Sequence, residues 1–529
     1  MTEFRNSYES QQQLIASLRD SILYAEDAAS VNLIETHISW VLLAGRYAYK
    51  IKKALNLGFL DYSTLEARRF FCDEEIRLNR RTAPEIYLDT IAIGGSTDKP
   101  VLGVQPALEY AVRMRRFSSA HLMDSRLMRG TVTPNHIDRL ATGIACFHAS
   151  LPAAQTGSGF GTVAAIRSAA MENFRQLHLR LSKDADRENV GALQSATEAA
   201  FEACRKHFAA RRRRGYVREC HGDLHLGNIV LDGDVPVLFD CIEFNPALRW
   251  IDVINEIAFV VMDLLHRDHA EYAWRLLNDY LESSGDYAGV SVLRFYLGYR
   301  ATVRAKVCAI RSGQAGIAAR IKSRELAECG KYMALSRRCL EPHRAALIIT
   351  HGLPGSGKTL FSQLALQQLG AIRIRSDVER KRIFGLDKLE SSRLHAMNIY
   401  SPQATGKTYA RLLELARGIL KAGFPVIVDA AFLKSEERES FRRLAESLSL
   451  PYAIASLHAD DVTLRERLRL RRNDASEADV AVLEKLKSAY EPLSAAESAC
   501  SADFTTAETP DSAANLKAWN RLEELRTAF

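Results

Sequence analysis

The sequence predicts two folds in one chain. Residues 1–340 read as an α+β domain, and residues 341–529 as an α/β domain whose parallel sheet carries helices on both faces. Three observations lead there. Strand-patterned runs between Val31 and Arg116 give way to a long stretch of helical periodicity, the segregated order of an α+β domain. His221–Asn228, HGDLHLGN, is followed by two short apolar runs around an Asp-Gly turn, which is a hairpin signature. Gly352–Thr359, GLPGSGKT, sits between the apolar run Ala345–Thr350 and the helix-patterned Leu360–Leu369. At 529 residues, the chain exceeds what one hydrophobic core supports.

Taken in order, Val31–Lys53 reads as a hairpin broken at Ala44-Gly45, with Lys50 and Lys52 on one face of its second strand; alternation alone does not choose between them. Ser63–Arg80 has helical spacing and carries Glu74 and Glu75. Glu85–Val104 holds a strand and a turn at Gly94-Gly95-Ser96, and Tyr110–Arg116 a further strand. Helices are expected at His136–Ser150 and Ile166–Leu181 around a loop at Pro152–Gly161, and Arg211–Arg214 as a solvated helix end, with an anion-attracting run as its other reading. After HGDLHLGN come Ile229–Leu231, a turn at Asp232-Gly233-Asp234, and Val235–Phe239 ending at Asp240. A phosphoryl transferase of the kinase type needs an Asp to accept the substrate hydroxyl proton, an Asn five positions later on a metal, and a further Asp across a hairpin; Asp223, Asn228 and Asp240 fit. Arg249–Leu265 reads as one helix in which Asp252 is structural, with a supporting role under the catalytic loop as its other reading.

Ser336–Arg344 is a short polar boundary. Beyond it, Gly352, Leu353, Pro354, Gly355, Ser356 and Gly357 form a loop whose backbone N–H groups turn onto phosphate; Lys358 reaches the terminal phosphates and the Thr359 hydroxyl ligates Mg²⁺. The strand Ala371–Ile374 ends at Arg375-Ser376-Asp377, where Asp377 serves as proton acceptor or as a helix N-cap. Arg380 lies one turn on and is placed to clamp a phosphate or acidic substrate. Phe424–Val428 ends at Asp429, the position of a magnesium-holding carboxylate. Thr463–Asn473 puts Arg467 and Arg471 on one helical face, as a lid over phosphates or as a solvated surface. Asp377–Lys421 looks like an inserted helical region fit to form an acceptor pocket, and the second GKT, Gly406–Thr408, lacks the glycine spacing of another phosphate loop.

HGDLHLGN together with FDCIEF at Phe239–Phe244 resembles the catalytic segment of the aminoglycoside phosphotransferase and choline kinase superfamily, a protein-kinase-like fold. THIS at Thr36–Ser39, YKIKK at Tyr49–Lys53, GFLDYSTLEAR at Gly58–Arg68 and EEIRLNRR at Glu74–Arg81 resemble a bacterial branch of it fused to a C-terminal P-loop kinase. The resemblance implies that Lys50, with Lys52 as second choice, grips the α- and β-phosphates and pairs with Glu75, and that Met114 lies at the adenine hinge. The chain departs from the pattern in having no clear glycine-rich loop before Lys50 and in following Asp240 with Cys241-Ile242. Glu243 is a further metal or substrate contact, or a surface carboxylate at a strand end. GLPGSGKT, SDVER at Ser376–Arg380, VDAAF at Val428–Phe432 and RLRLR at Arg467–Arg471 resemble the zeta-toxin, chloramphenicol phosphotransferase and polynucleotide kinase type of P-loop kinase, and two-domain proteins of this fused kind are often labelled AAA-family ATPases. That likeness implies Asp377 as general base, Arg380 as substrate clamp, and Arg467 and Arg471 as lid residues.

Composition narrows the partners. With 47% hydrophobic and 26% charged residues and a net charge of +7, the chain has the makeup of an ordinary globular protein with no strong basic field for nucleic acid. Nine scattered cysteines without a C-x-x-C pair suit a reducing, cytoplasmic setting. The first residues show no secretory pattern and no apolar run reaches the ~20 residues of a membrane span. The expectation is therefore an ATP- and Mg²⁺-dependent phosphotransferase with two nucleotide sites, moving a γ-phosphoryl to the hydroxyl of a small molecule; no oligomeric state is read from it. A nucleic-acid partner is less favoured. The competing readings are a polynucleotide-end kinase, a switch or mechanical ATPase, and a nucleotide sensor in which one domain is not catalytic.

Overall fold

The computed structural model describes residues 8–20, 23–24, 30–58, 60–314, 316–341, 345–392, 398–471, 474–506, 508–509 and 512–527. The chain forms two compact units, one of Met1–Ala169 with Phe208–Asp263, the other of Ala170–His207 with Leu264–Phe529.

In the first unit the strands are β1 (Val31–Glu35), β2 (Ser39–Ala44), β3 (Tyr47–Lys52), β4 (Tyr87–Gly95), β5 (Pro100–Leu102) and β6 (Glu109–Arg115). They make an antiparallel sheet in the order β1-β2-β3-β6-β4-β5. The expected hairpin is thus three strands, with β1 added at the edge. Alternation along β3 sets the two faces. Tyr49 and Ile51 enter a core with Trp40, Leu42 and Ala111, while Lys50 and Lys52 face the helix Leu65–Asn79. That helix is capped by Thr64, whose hydroxyl accepts the Ala67 N–H at 3.1 Å. Its buried stripe includes Arg68, Cys72, Glu75, Ile76 and Asn79. Polar residues on an inward helical stripe signal a site, because each must find a partner when buried.

Below the sheet, β7 (Val217–Glu219) pairs with β10 (Trp250–Asp252), and β8 (Ile229–Asp232) pairs with β9 (Val235–Leu238) in the expected hairpin. The single helix expected over Arg249–Leu265 is interrupted: β10 precedes the helix Val253–His266, since Trp250–Asp252 takes up ladder pairing with Val217–Glu219. Arg211 is no solvated helix end. It is 4% exposed and its Nε and Nη2 donate to Asp252 at 2.7 and 2.9 Å. Arg212 donates to the carbonyl of Phe160 at 2.9 Å.

In the second unit, β11 (Leu347–His351), β12 (Ile372–Arg375), β13 (Val426–Asp429), β14 (Tyr452–His458) and β15 (Ser501–Thr505) form a parallel sheet in the order β12-β13-β11-β14-β15. The chain leaves β11 toward β12 and β13 on one side and returns to β14 on the other, so the carboxyl end of β11 is a topological switch point where ligands bind. Helix Lys358–Leu369 follows the loop there. The helices Val290–Ser312 and Ala319–Leu340 run antiparallel, with Thr302 bonded to Ser336 at 3.0 Å. The expected boundary Ser336–Arg344 is therefore helical as far as Leu340, with Ser336 and Cys339 buried, and residues 342–344 lie outside the described ones. Helix Ala270–Ser284 lies along the edge strand β12: Asn278 donates to the Ala371 carbonyl at 2.9 Å and accepts the Arg373 N–H at 2.6 Å. Gly406–Thr408 falls inside the helix Pro402–Lys421 and builds no second loop. Among the described residues no helix is long and apolar enough to cross a membrane.

Candidate active sites

The first site gathers on the lysine face of β3. Lys50 Nζ lies 2.8 Å from Glu75 Oε1 and 2.7 Å from Asp240 Oδ1. Lys52 Nζ lies 2.7 Å from Glu75 Oε2 and also meets Glu243, which accepts the Tyr62 hydroxyl at 2.5 Å. Exposure separates the two lysines: Lys50 and Asp240 have side chains 14% and 44% exposed, whereas Lys52 is at 0%. Lys50 is the one on the open side. Glu243 is 4% exposed and serves as an internal counter-charge, which corrects its reading as a surface carboxylate. Burial pushes the Glu75 carboxyl up, but the two ammonium groups outweigh it and hold its pKa at about 2. Asp240 has φ +64, a strained conformation for a residue with a Cβ, and its N–H donates to the Tyr87 hydroxyl at 3.0 Å.

The loop carrying Asp223 is held by side chains that bond its backbone. Asn228 Nδ2 donates to the Asp223 carbonyl at 2.9 Å and lies 3.3 Å from Asp223 Oδ2, which leaves the Asn228 amide oxygen for another partner. His221 Nε2 donates to the Phe239 carbonyl at 2.8 Å, while Nδ1 accepts the Asp223 N–H at 3.3 Å, the pattern of a neutral ring; burial lowers its pKa accordingly. Glu256 accepts the N–H groups of His221 and Gly222 at 2.8 and 2.6 Å and meets His148 Nε2 at 3.2 Å. Asp263 accepts the Leu226 N–H at 3.0 Å. Support of the Asp223 loop thus comes from Glu256 and Asp263, about one and three helical turns beyond Asp252, which itself ties down Arg211. Spacing on a helix whose buried face is otherwise apolar would have pointed to both acids. The oxygen donors of Asn228 and Asp240 are of the hard type that suits Mg²⁺.

In the second unit, Lys358, Thr359, Asp377, Arg380, Asp429, Arg467 and Arg471 all line one cavity of about 1290 Å³. The loop takes positive φ at Gly352, Gly355 and Gly357, and a Cβ at Gly355 would stand 2.9 Å from the Leu464 carbonyl, so glycine is required twice over. Lys358 Nζ donates to the carbonyls of Gly352 and Leu353 at 2.9 and 2.8 Å. Burial draws its pKa down to about 8 against the pull of Asp429 and Asp377. The Thr359 hydroxyl and the Asp429 carboxylate are again hard oxygen donors; Asp429 is 5% exposed and accepts the Ser362 hydroxyl at 3.0 Å.

Three expectations change in detail. Asp377 is not an N-cap: the cap position of helix Ser376–Ile383 is Arg375, without a side-chain bond, and Asp377 stands in the first turn. Arg467 and Arg471 do not share a helical face, because the helix Asp461–Leu470 ends before Arg471, which turns to φ −59, ψ 129. Arg472 and Asn473 lie outside the described residues. Arg467 donates to the Gly355 carbonyl at 3.2 Å and to Thr506 Oγ1 at 2.8 Å, tying the loop to Thr506. Arg380 is 7% exposed and donates to the Ile399 carbonyl and Thr405 Oγ1 at 2.9 and 3.2 Å, so it also anchors the start of helix Pro402–Lys421. Tyr400, Thr405, Tyr409 and Leu413 from that region line the cavity. Sequence reading passed over Arg375 and Asp474, which line it too. Two arginines alternating on a buried strand, Arg373 and Arg375, were the available signal.

Residues 102–293 match the profile of the phosphotransferase enzyme family, and residues 347–493 that of the AAA domain. An uncharacterized protein of Mycobacterium tuberculosis is 29% identical over 421 residues, covering 79% of this chain and 82% of its own. Among solved structures, a choline/ethanolamine kinase family protein from Mesorhizobium loti aligns at 12% identity and a TM-score of 0.36, over 63% of this chain and 100% of its own. A gluconokinase from Sinorhizobium meliloti aligns at 18% identity and a TM-score of 0.27, over 35% of this chain and 96% of its own.

Proposed function

We propose that this chain, which joins a phosphotransferase-family segment to a P-loop segment, is an ATP-dependent kinase with two phosphoryl-transfer centres, each acting on a hydroxyl acceptor. One observation carries the reading: a single cavity of about 1290 Å³ holds the phosphate-gripping Lys358 together with Asp377 and Asp429. Pockets for one small ligand run to about 1,000 Å³, so this one has room for a nucleotide and an acceptor together.

In the P-loop centre the loop N–H groups and Lys358 hold the phosphates, and Asp377 orients the acceptor hydroxyl. As the acceptor oxygen bonds to the γ-phosphorus and the bond to the β,γ-bridging oxygen breaks, Asp377 takes the hydroxyl proton and ADP leaves. In the other centre Lys50, held by Glu75, grips the phosphates and Asp223 takes the proton. Mg²⁺, held by Thr359 and Asp429 in one centre and by Asn228 and Asp240 in the other, would offset the charge on the phosphate oxygens. Helix Pro402–Lys421 forms an acceptor wall of tyrosine and leucine, which fits a compact small molecule better than a nucleic-acid end.

The test is ATP turnover by the full chain, Lys358→Ala and Asp223→Asn against sugars, aminoglycosides, nucleosides and oligonucleotides. Each substitution is expected to abolish a different acceptor activity, by about 100-fold or more. Unchanged activity on every acceptor in Asp223→Asn would make the first unit a nucleotide sensor. Salt-dependent turnover of oligonucleotides alone would favour the polynucleotide-end kinase.

A further inference from the structure

Arg375, at the end of β12, stands among three carboxylates. Its Nη2 lies 2.9 Å from Asp474 Oδ1, its Nη1 3.3 Å from Glu282 Oε1, and its Nε 3.8 Å from Asp429 Oδ2. The first two are at hydrogen-bonding distance and Asp429 is just beyond it. Glu282 comes from helix Ala270–Ser284, inside the phosphotransferase-family match and outside the P-loop match, yet within the same compact unit as the P-loop. It is 2% exposed, and it also meets Arg373 at 3.2 Å and Lys388 at 3.3 Å. Asp474 in turn lies 3.5 Å from Arg471. A buried carboxylate from one family segment therefore anchors a line of ion pairs along the cavity wall of the other.

We propose that Arg375 is a positioning residue of the P-loop centre, and that Glu282 is the counter-charge that keeps its guanidinium from closing on Asp429. This rests on the reading of Asp429 as the metal-holding carboxylate. A guanidinium shared between Glu282 and Asp474 leaves Asp429 to a divalent cation. Without the Glu282 charge, the Arg375 guanidinium is left with Asp474, Asp429 and the nearby Asp377, and it competes with the metal for Asp429. Helix Ala270–Ser284 thus sets how strongly metal and nucleotide bind together.

The experiment measures equilibrium binding of a fluorescent, non-hydrolysable ATP analogue to the full chain with Mn²⁺ and with EDTA. An Asp240→Asn background makes the metal-dependent gain report the P-loop centre. Glu282→Gln is expected to reduce that gain by about threefold to tenfold, Arg375→Gln to increase it, and the double variant to follow Arg375→Gln. A merely structural role would lower thermal stability in both without opposite signs. A folded Glu282→Gln with an unchanged gain overturns the proposal. Should Glu282→Gln fail to fold, an Arg375→Gln variant whose gain does not rise overturns it equally. Asp429→Asn separates the two claims: if it keeps the full gain, the metal reading of Asp429 is what fails.

Discussion

At the scale of single residues, two lysines two positions apart divide one task. Both reach Glu75, but Lys50 also meets the half-exposed Asp240 whereas Lys52 is enclosed with Glu75, Glu243 and Tyr62. Lys50→Ala removes a charge from the open side and leaves Glu75 paired with Lys52. It is expected to lower kcat/KM of the first centre by about 100-fold or more with little change in Tm. Lys52→Met strands the buried Glu243 beside a hydroxyl and should cost about 3–5 kcal/mol of stability. Paired kinetics and thermal melts check this; a Lys52→Met protein as stable as the parent would contradict the division. Strand alternation places both lysines on one face and does not choose between them, because which of them is covered depends on Glu243, nearly two hundred residues away; the preference for Lys50 comes from the family resemblance alone.

At the scale of elements, the P-loop strand, loop and helix, the β8–β9 hairpin and β3 were legible because their signals are local: glycine spacing, alternation and apolar runs. What stayed hidden was the use of polar residues inside helices. Arg211, Glu256, Asn278 and Glu282 each sit on a helix that reads as ordinary surface or core, and each finds its partner on a distant segment. Asn278 shows the consequence. Its amide pairs with the backbone of the edge strand β12 on both sides of Ile372, standing in for a neighbouring strand. Asn278→Ala leaves a buried donor and a buried acceptor without partners and should destabilise the second unit by about 1–3 kcal/mol. Asn278→Asp keeps the bond from the Arg373 N–H but sets a buried carboxylate oxygen against the carbonyls of Ala371 and Trp274, and should cost more than Asn278→Ala. Urea unfolding of the two variants orders them; equal stability of Asn278→Ala and the parent would remove the strand-mimic role.

At the scale of the whole molecule, both units depend on buried carboxylates held ionised by cations or N–H groups. Glu75 and Glu256 in the first unit and Glu282 in the second are each drawn from 4.5 to about 2, as Lys50 and Lys52, the His148 contact, and Arg373 with Arg375 respectively outweigh the effect of burial. A carboxyl with a lower pKa folded than unfolded stabilises the fold fully above its unfolded value, and that contribution is lost as pH falls toward the folded one. The window here runs from pH 4.5 to about 2. A shift of this size corresponds to about 3 kcal/mol per group, comparable to a large share of a domain's net stability. Thermal melts should therefore decline gently as the pH falls below about 6.5, where the buried neutral His221 and His351 resist protonation, and fall steeply below about pH 4.5, in both units. Glu256→Gln tests the cause: it should lower Tm at neutral pH, and its deficit against the parent should shrink as the pH falls from 4.5 toward 2, where the parent's carboxylate takes up a proton. A deficit that stays constant across that range would mean that Glu256 acts through packing and hydrogen bonds alone, with its ionisation contributing nothing to the hold on His221 and Gly222.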